Sequence, residues 1–587
     1  MCGIIGVIGN NNAPFKAFSG LKKLEYRGYD SWGIAFKSCN GIEIEKKTGK
    51  IPKDEKGLFN HNSYCSIAHT RWATHGKVTQ ENAHPVSSQS KALCVVHNGI
   101  VENFEELKKM LEEKGFSFRT QTDTEVIANL VELELSKNPK DIKEALRRAL
   151  LQVRGNYAVV LMHKDFFEIF CAKNSSPLVL GIADKDLFVA SDVTAFLPYT
   201  KKAVYLEDNE MAVLGKDWKV FDTVTGKIVS KKIDEVTWSV EQAKKGNFEH
   251  FMLKEIFEQP QSIKNAAAQP QPELERATQM VKQAKGVFFV GCGSSFHACL
   301  CASYFFSDIT KMHVNPVLAS EFSNYSSFLT KDTLVVAVSQ SGETADVLDA
   351  VKTAKKAGSK ILSIVNVMGS SLVRLSDETL LMNAGPEICV LSTKTYTSQL
   401  SLLLLLAFSV AGKKEEGKKL LEKTALLCEK ALESSKEKAR ELAKKIVDKT
   451  SIFVIGRHVG FPTALECALK IKEVSYIHAE GFAGGELKHG TISLIEEGVP
   501  VIVLGSQSGY EMIQSNAQEV KTRGAWLIGI ATGKNQLFDE QFELEDAGPA
   551  SPILMVLPVQ LLAYFLAVEK KLDPDMPRNL AKSVTVK

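Results

Sequence analysis

The sequence predicts a chain of three parts: a strand-rich, layered α+β domain followed by two α/β domains built on parallel sheets. Two observations carry this. The first 215 or so residues alternate short apolar runs with turn residues and are interrupted by two helical stretches. Beyond about residue 278, continuous apolar strands alternate with helices, and the whole pattern occurs twice at similar spacing. At 587 residues the chain is also too long for a single core.

Taken in order, the first domain covers residues 2–216. Its expected strands lie at 4–8, 34–36, 93–96, 157–162, 187–190 and 203–206, with helices around 103–114 and 123–153. Residues 217–277 are more polar and carry Gln259-Pro260-Gln261 and Gln269-Pro270-Gln271-Pro272, which read as a connector. In the first α/β domain, 278–411, an apolar run at 287–290 enters Gly291-Cys292-Gly293-Ser294-Ser295. A second at 334–338 enters Ser339-Gln340-Ser341-Gly342-Glu343-Thr344, and a third strand follows at 361–365. A charged amphipathic helix at 412–443 links this to the second copy, 444–577. There the runs at 452–455, 501–504 and 526–530 lead into Gly456-Arg457-His458 and Gly505-Ser506-Gln507-Ser508. The tail, 578–587, is apolar and specific rather than repetitive, so it is expected to dock.

Composition narrows the function classes. The chain is 44% hydrophobic and 24% charged, with 72 basic against 69 acidic residues and a net charge of +3. That balance implies neither nucleic acid nor membrane as a partner. Eleven cysteines occur without CxxC spacing, Cys299 and Cys301 being the only close pair. Neither a zinc site nor a disulfide framework is indicated, and reduced thiols in a cytoplasmic protein fit best. The start of the chain lacks the basic and apolar stretches of a signal peptide. The longest apolar run, 400–411, is too short to span a bilayer and reads as a buried helix.

The chain opens Met1-Cys2-Gly3. Removal of Met1 would leave Cys2 with both a thiol and a free α-amine of pKa about 7.7–8.0, a nucleophile with its own base. The alternative is a small buried apolar Cys. Asn98 and Gly99, after the 93–96 run, supply two N–H donors for an oxyanion hole, or merely an Asn-Gly hairpin turn. Arg71 is suited to a bidentate grip on a carboxylate. Asp123 is either a helix N-cap or a partner for an ammonium. In the second half, Ser294, Ser295, Ser339, Gln340, Ser341 and Thr344 follow strands and open helices, where free N–H groups and hydroxyls bind phosphate or simply cap the helix. Glu466, Lys470 and Glu473 share one helical face; they form a solvated salt-bridge ladder or, with His489, converge on a pocket.

Cys2-Gly3-Ile4, Tyr26-Arg27-Gly28-Tyr29-Asp30-Ser31, the run from His69 to Gly76, His97-Asn98-Gly99 and Thr122-Asp123-Thr124-Glu125 resemble the class II glutamine amidotransferase domain. The resemblance implies an N-terminal-nucleophile fold layered αββα. Cys2 attacks the glutamine amide, Asn98 and Gly99 stabilise the oxyanion, Arg71 binds the α-carboxylate and Asp123 the α-amine. Thr74 and His75 line the same pocket, and Trp72 resembles the family's gate residue. The motifs of the second half resemble sugar isomerase (SIS) domains. A class II amidotransferase joined to two SIS domains and this tail is similar, over essentially the whole chain, to the isomerising amidotransferases that act on fructose 6-phosphate. That implies L-glutamine and fructose 6-phosphate as substrates and a homodimer formed through the SIS domains, with neither metal nor organic cofactor. It places Ser294, Ser295, Ser339, Gln340, Ser341, Thr344 and Ser392 around the sugar phosphate. His489 assists ring opening, Lys582 forms a Schiff base with the ketone, and Glu473 moves the proton between C1 and C2, with Glu466, Lys470 and Arg578 in support.

Overall fold

The computed structural model describes residues 2–9, 12–52, 62–72, 76–236, 244–506 and 509–585. The chain divides into two compact bodies, residues 1–244 with 581–587, and 245–580.

The first body stacks two antiparallel sheets. In one, strand Gly3–Gly9 lies between Asp186–Ala190 and Cys65–Arg71; in the other, Leu93–Val101 pairs with Gly155–His163, which pairs with Ile169–Asn174. Strand alternation decides what each face buries. Cys94 and Val96 enter the core between the sheets with Ile4, Ile67 and Val160, whereas Leu93 and Val95 pack on the outer helices with Val126 and Leu130. Helix Ala13–Lys23 covers the first sheet, and helices Thr124–Lys137 and Ile142–Leu150 cover the second. The layering is therefore helix, sheet, sheet, helix.

The second body contains two five-stranded parallel sheets. One runs Asn315–Leu318, Gly286–Gly291, Thr333–Ser339, Lys360–Val365, Glu378–Leu381; the other runs His478–Ala483, Ser451–Gly456, Pro500–Gly505, Trp526–Thr532, Glu540–Leu544. The central strands are buried almost throughout, as strands covered on both faces must be. One large core cluster joins both halves, from Met252 through Leu403 and Ile471 to Ala567.

Several expectations need correcting. The single helix expected at 123–153 is two helices, broken where Asn138 leaves helical geometry. The 217–277 stretch is not connector throughout: Trp218–Asp222, Ile228–Val229 and Asp234–Glu235 are sheet strands of the first body, and Phe251–Phe257, Gln259–Ala267 and Gln271–Gln283 are helices of the second. The prolines read as breakers, Pro260 and Pro272, sit in the first turns of helices, where a missing N–H costs nothing. The charged helix spans Lys414–Ile446, and its buried stripe, including Leu421, Ala425, Cys428 and Leu432, packs on Gln259–Ala267 and Ser551–Glu569. Nor is 400–411 the longest apolar stretch. The segment Gly548–Glu569 has mean hydropathy 2.0, enough by composition to cross a membrane, yet 94% of that window is buried inside the second body. It is a core helix that both halves share.

Candidate active site

Cys2 sits at the start of the central Gly3–Gly9 strand, whose register places Gly3 opposite Thr70 on the neighbouring strand. The Gly3 N–H donates to Thr70 Oγ1 at 3.1 Å and the Ile4 N–H to Ser191 Oγ at 2.8 Å, fixing the backbone that carries the thiol. The Trp72 main-chain N–H donates to Cys2 Sγ at 3.3 Å. Trp72 thus meets the Cys2 sulfur through its backbone. Burial pushes the Cys2 thiol above its ordinary value, and the Trp72 amide and the Arg71 charge oppose that rise.

Asn98-Gly99 is not a hairpin turn. Both residues lie inside the Leu93–Val101 strand, opposite Ala158 and Tyr157. The Asn98 amide is held at both ends: Nδ2 donates to the Cys2 carbonyl and to Ser191 Oγ, each at 3.0 Å, while Oδ1 lies 3.1 Å from His69 Nε2. Because His69 Nε2 also faces the His97 carbonyl at 3.1 Å, it must carry the proton, and the amide orientation follows. Gly99 has φ +132°, and a Cβ there would run into the Asn156 carbonyl.

Asp123 precedes the Thr124–Lys137 helix but makes no side-chain cap; its Oδ2 instead accepts from the Val101 N–H at 2.8 Å. Asp123, Arg71, Trp72, Gly99 and Cys2 line one cavity. Burial lowers the Arg71 guanidinium from its ordinary value, and Cys2, Asp123 and Asp30 resist the fall. Thr74 and His75 lie outside the described residues. Sequence reasoning missed Ser191 and the buried histidines. His84 Nδ1 accepts from the His97 N–H at 3.3 Å, its ring stacks on His69 at 4.3 Å, and burial drives His69 down to about 3. Burial likewise drives His84 well below its ordinary value.

In the second body, strands Gly286–Gly291 and Thr333–Ser339 are parallel neighbours, so helices Ser294–Phe305 and Ala345–Lys356 begin at the same sheet edge. Neither helix has a side-chain cap. Ser339 Oγ accepts from the Gly342 N–H at 3.0 Å and lies 3.2 Å from Thr344 Oγ1; Ser341 Oγ accepts from the Glu343 N–H at 3.1 Å. Gln340 lies in the same loop, half-buried. Ser392 Oγ pairs with Thr395 Oγ1 at 2.7 Å, and Ser295 Oγ accepts from Gln399 Nε2 at 3.1 Å.

Ser294 is engaged elsewhere. Its hydroxyl donates to Glu466 Oε1 at 2.8 Å and accepts from Lys470 Nζ at 3.1 Å. Lys470 reaches Glu466 at 3.3 Å and Glu473 at 2.8 Å. Glu466 and Lys470 are fully buried, so these residues are no solvated ladder. Burial would neutralise both. The neighbouring charges win: Lys470, His297 and Ser294 keep the Glu466 carboxyl below its usual value, and the two glutamates hold Lys470 protonated. His489 does not join this cluster; it is exposed at the end of the Gly484–His489 turn. The Arg578 N–H donates to the Tyr476 hydroxyl at 2.7 Å and its guanidinium stacks over that ring at 4.1 Å, at the C-terminal end of the helix bearing Glu473. Lys582 belongs to the short segment Ala581–Lys587 that groups with the first body.

Comparison with known proteins bears on both bodies. A glutamine amidotransferase domain model matches residues 69–198, and an SIS domain model matches twice, at 280–409 and 445–570. A curated relative from Thermococcus kodakarensis, glutamine–fructose-6-phosphate aminotransferase [isomerizing], is 45% identical over 603 residues, covering 100% of both chains. Its counterpart of the same name from Pyrococcus horikoshii is 44% identical over 604 residues, again covering 100% of each. Among solved structures, the C-terminal domain of glucosamine-fructose-6-phosphate aminotransferase from Francisella tularensis is 31% identical with a TM-score of 0.52, and covers 57% of this chain and 99% of that one. With a shielded thiol and a fixed amide in one body and a doubled SIS unit in the other, the chain belongs to the isomerising glutamine–fructose-6-phosphate aminotransferase family.

Proposed function

We propose that this chain converts L-glutamine and D-fructose 6-phosphate into L-glutamate and D-glucosamine 6-phosphate, the entry to hexosamine synthesis. The observation that carries the reading is the Cys2 environment: a backbone N–H on the sulfur and an Asn98 amide pinned beside it, in the same chain as two SIS sheets.

In the first body, with Met1 removed, the Cys2 α-amine takes the thiol proton as the sulfur attacks the glutamine side-chain amide and returns it to the departing nitrogen. The Gly99 N–H, with Asn98 Nδ2 once it gives up one of its two present acceptors, receives the developing oxyanion, a term that typically amounts to about 3–4 kcal/mol per donor. Arg71 takes the α-carboxylate and Asp123 the α-ammonium, with Trp72, Thr74 and His75 closing the pocket. Ammonia leaves, and water releases glutamate from the thioester. In the second body, the loop from Ser339 to Thr344 offers main-chain N–H groups and hydroxyls to the sugar phosphate, with Ser295, Gln340 and Ser392 nearby. Opening of the ring is assigned to His489, and the Schiff base to Lys582. Glu473 then carries the proton between C1 and C2 as the nitrogen is installed; Ser294, Glu466, Lys470 and Arg578 hold the surroundings. The protein works in the cytoplasm as a homodimer through its SIS domains.

The test is isotopic. With amide-15N glutamine and fructose 6-phosphate, the amino-sugar phosphate should gain one mass unit relative to unlabelled glutamine, read by mass spectrometry. Unlabelled product, or no product, would overturn the reading.

A further inference from the structure

We propose that His297 is a positioning residue for the proton transfer assigned to Glu473, acting through Glu466 and Lys470; this rests on the function proposed above. His297 lies one turn into the Ser294–Phe305 helix of the first sheet's half, whereas Glu466, Lys470 and Glu473 lie on the Gly460–Ser475 helix of the second. Its Nδ1 is 2.8 Å from Glu466 Oε2. A carboxylate can only accept, so Nδ1 carries the proton and donates.

The geometry makes this contact decisive. Glu466 is fully buried and has two oxygens to satisfy. Ser294 and Lys470 meet Oε1, and His297 meets Oε2. Lys470, equally buried, divides its ammonium between Glu466 at 3.3 Å and Glu473 at 2.8 Å. With His297 on Oε2, Lys470 meets Glu466 only at Oε1 and remains close to Glu473. Without it, Oε2 becomes a buried, unpaired charge, and the lysine is the nearest cation able to turn toward it. Glu473 would then lose the counter-charge that Lys470 supplies at 2.8 Å.

Beside Glu466 lie the Tyr396 hydroxyl on the Lys394–Val410 helix and the Cys467 thiol, and burial pushes each above its ordinary value, toward the neutral form.

The experiment compares His297→Ala and His297→Asn in the full chain, assaying fructose 6-phosphate isomerisation without glutamine across pH. Loss of the donor should lower kcat roughly tenfold or more with little change in KM, since the phosphate loop is untouched. The acid limb of the kcat profile should move to higher pH, because a Glu473 stripped of Lys470 ionises less readily. Asn places an N–H near the position of Nδ1 and should restore both. Unchanged kinetics in the Ala variant, or a lowered kcat with an unmoved acid limb, would overturn the proposal. If the Ala variant does not fold, the Asn variant decides: folded and near wild type supports the proposal, folded and impaired overturns it. A wild-type protein without isomerase activity refutes instead the functional reading on which the proposal stands.

Discussion

Gly99 shows what a single residue contributes to the cavity beside Cys2. It sits in mid-strand at φ +132°, where L side chains are strained, and an added Cβ would strike the Asn156 carbonyl and approach the Tyr157 Cα to 3.0 Å. Gly99→Ala should therefore cost roughly 1–3 kcal/mol in strain and tilt the N–H assigned to the oxyanion. We expect glutamate release to fall at least about tenfold and the first body to melt earlier, read by a glutaminase assay and by thermal unfolding. Wild-type hydrolysis would remove Gly99 from the oxyanion account. At this scale the candidate site was half legible. Asn-Gly is also the hairpin signal, and Asp before a helix is also a cap; the cross-strand partner of Gly99 excludes the hairpin, and the Val101 bond to Asp123 stands where a cap bond would. Spacing placed Glu466, Lys470 and Glu473 on one face, yet a buried and a solvated ladder have the same spacing, and burial comes only from packing. Ser191 and His84 were invisible because each reaches the site from a different segment and matches no motif.

Strands of the two sheets bring His69 and His97 together, and His84 completes an interior cluster. Its consequence is a pH-dependent stability. His69 falls from its ordinary 6.5 to about 3, and His84 falls well below 6.5, in both cases because burial excludes the charged form. The unfolded chain takes up these protons below pH about 6.5 while the folded chain refuses them. Above that pH the histidines cost nothing; stability is lost as pH drops from about 6.5 toward 3. Protection factors along Cys65–Arg71 and Leu93–Val101, with exchange corrected for its intrinsic pH dependence, should fall steadily as pH drops through this window, and His69→Gln should flatten the dependence; protection that ignores pH there would refute the argument. The same scale shows how far elements could be read from sequence. Long apolar runs of the parallel sheets were plain, because strands buried on both faces leave an uninterrupted signal. Edge strands such as Ile228–Val229 and Asp234–Glu235 are too short to show a period. Helices opening on Gln-Pro were mistaken for connector, since proline marks a helix start as readily as a break. Pro558 and Gln560 interrupt the longest apolar helix just enough to hide it from a search for continuous runs.

The whole molecule comprises two compact bodies. Each body has its own core: the first packs around Ile4, Val96 and Val160 and around Val126 and Leu146, the second around the cluster from Met252 to Ala567. Cys2 belongs to one and the Glu466–Lys470–Glu473 cluster to the other. If nitrogen release and proton transfer are housed in this way, removing the thiol should disable one and spare the other. Cys2→Ala deletes one sulfur from a half-buried position and leaves the strand bonds of Gly3 and Ile4 intact, so the fold should persist. We expect it to abolish glutamate release and glutamine-dependent amino-sugar synthesis while isomerisation of fructose 6-phosphate continues at near wild-type kcat. The measurement is a pair of assays on one preparation, glutamate by coupled oxidation and aldose phosphate by reduction of the accompanying cofactor. Loss of both activities in a folded variant would mean that the thiol's body is needed for the sugar chemistry itself, and the division drawn here would fail. Retained synthesis from glutamine would fail it from the other side, since no other described cysteine lines the cavity that Arg71 and Asp123 share with Cys2.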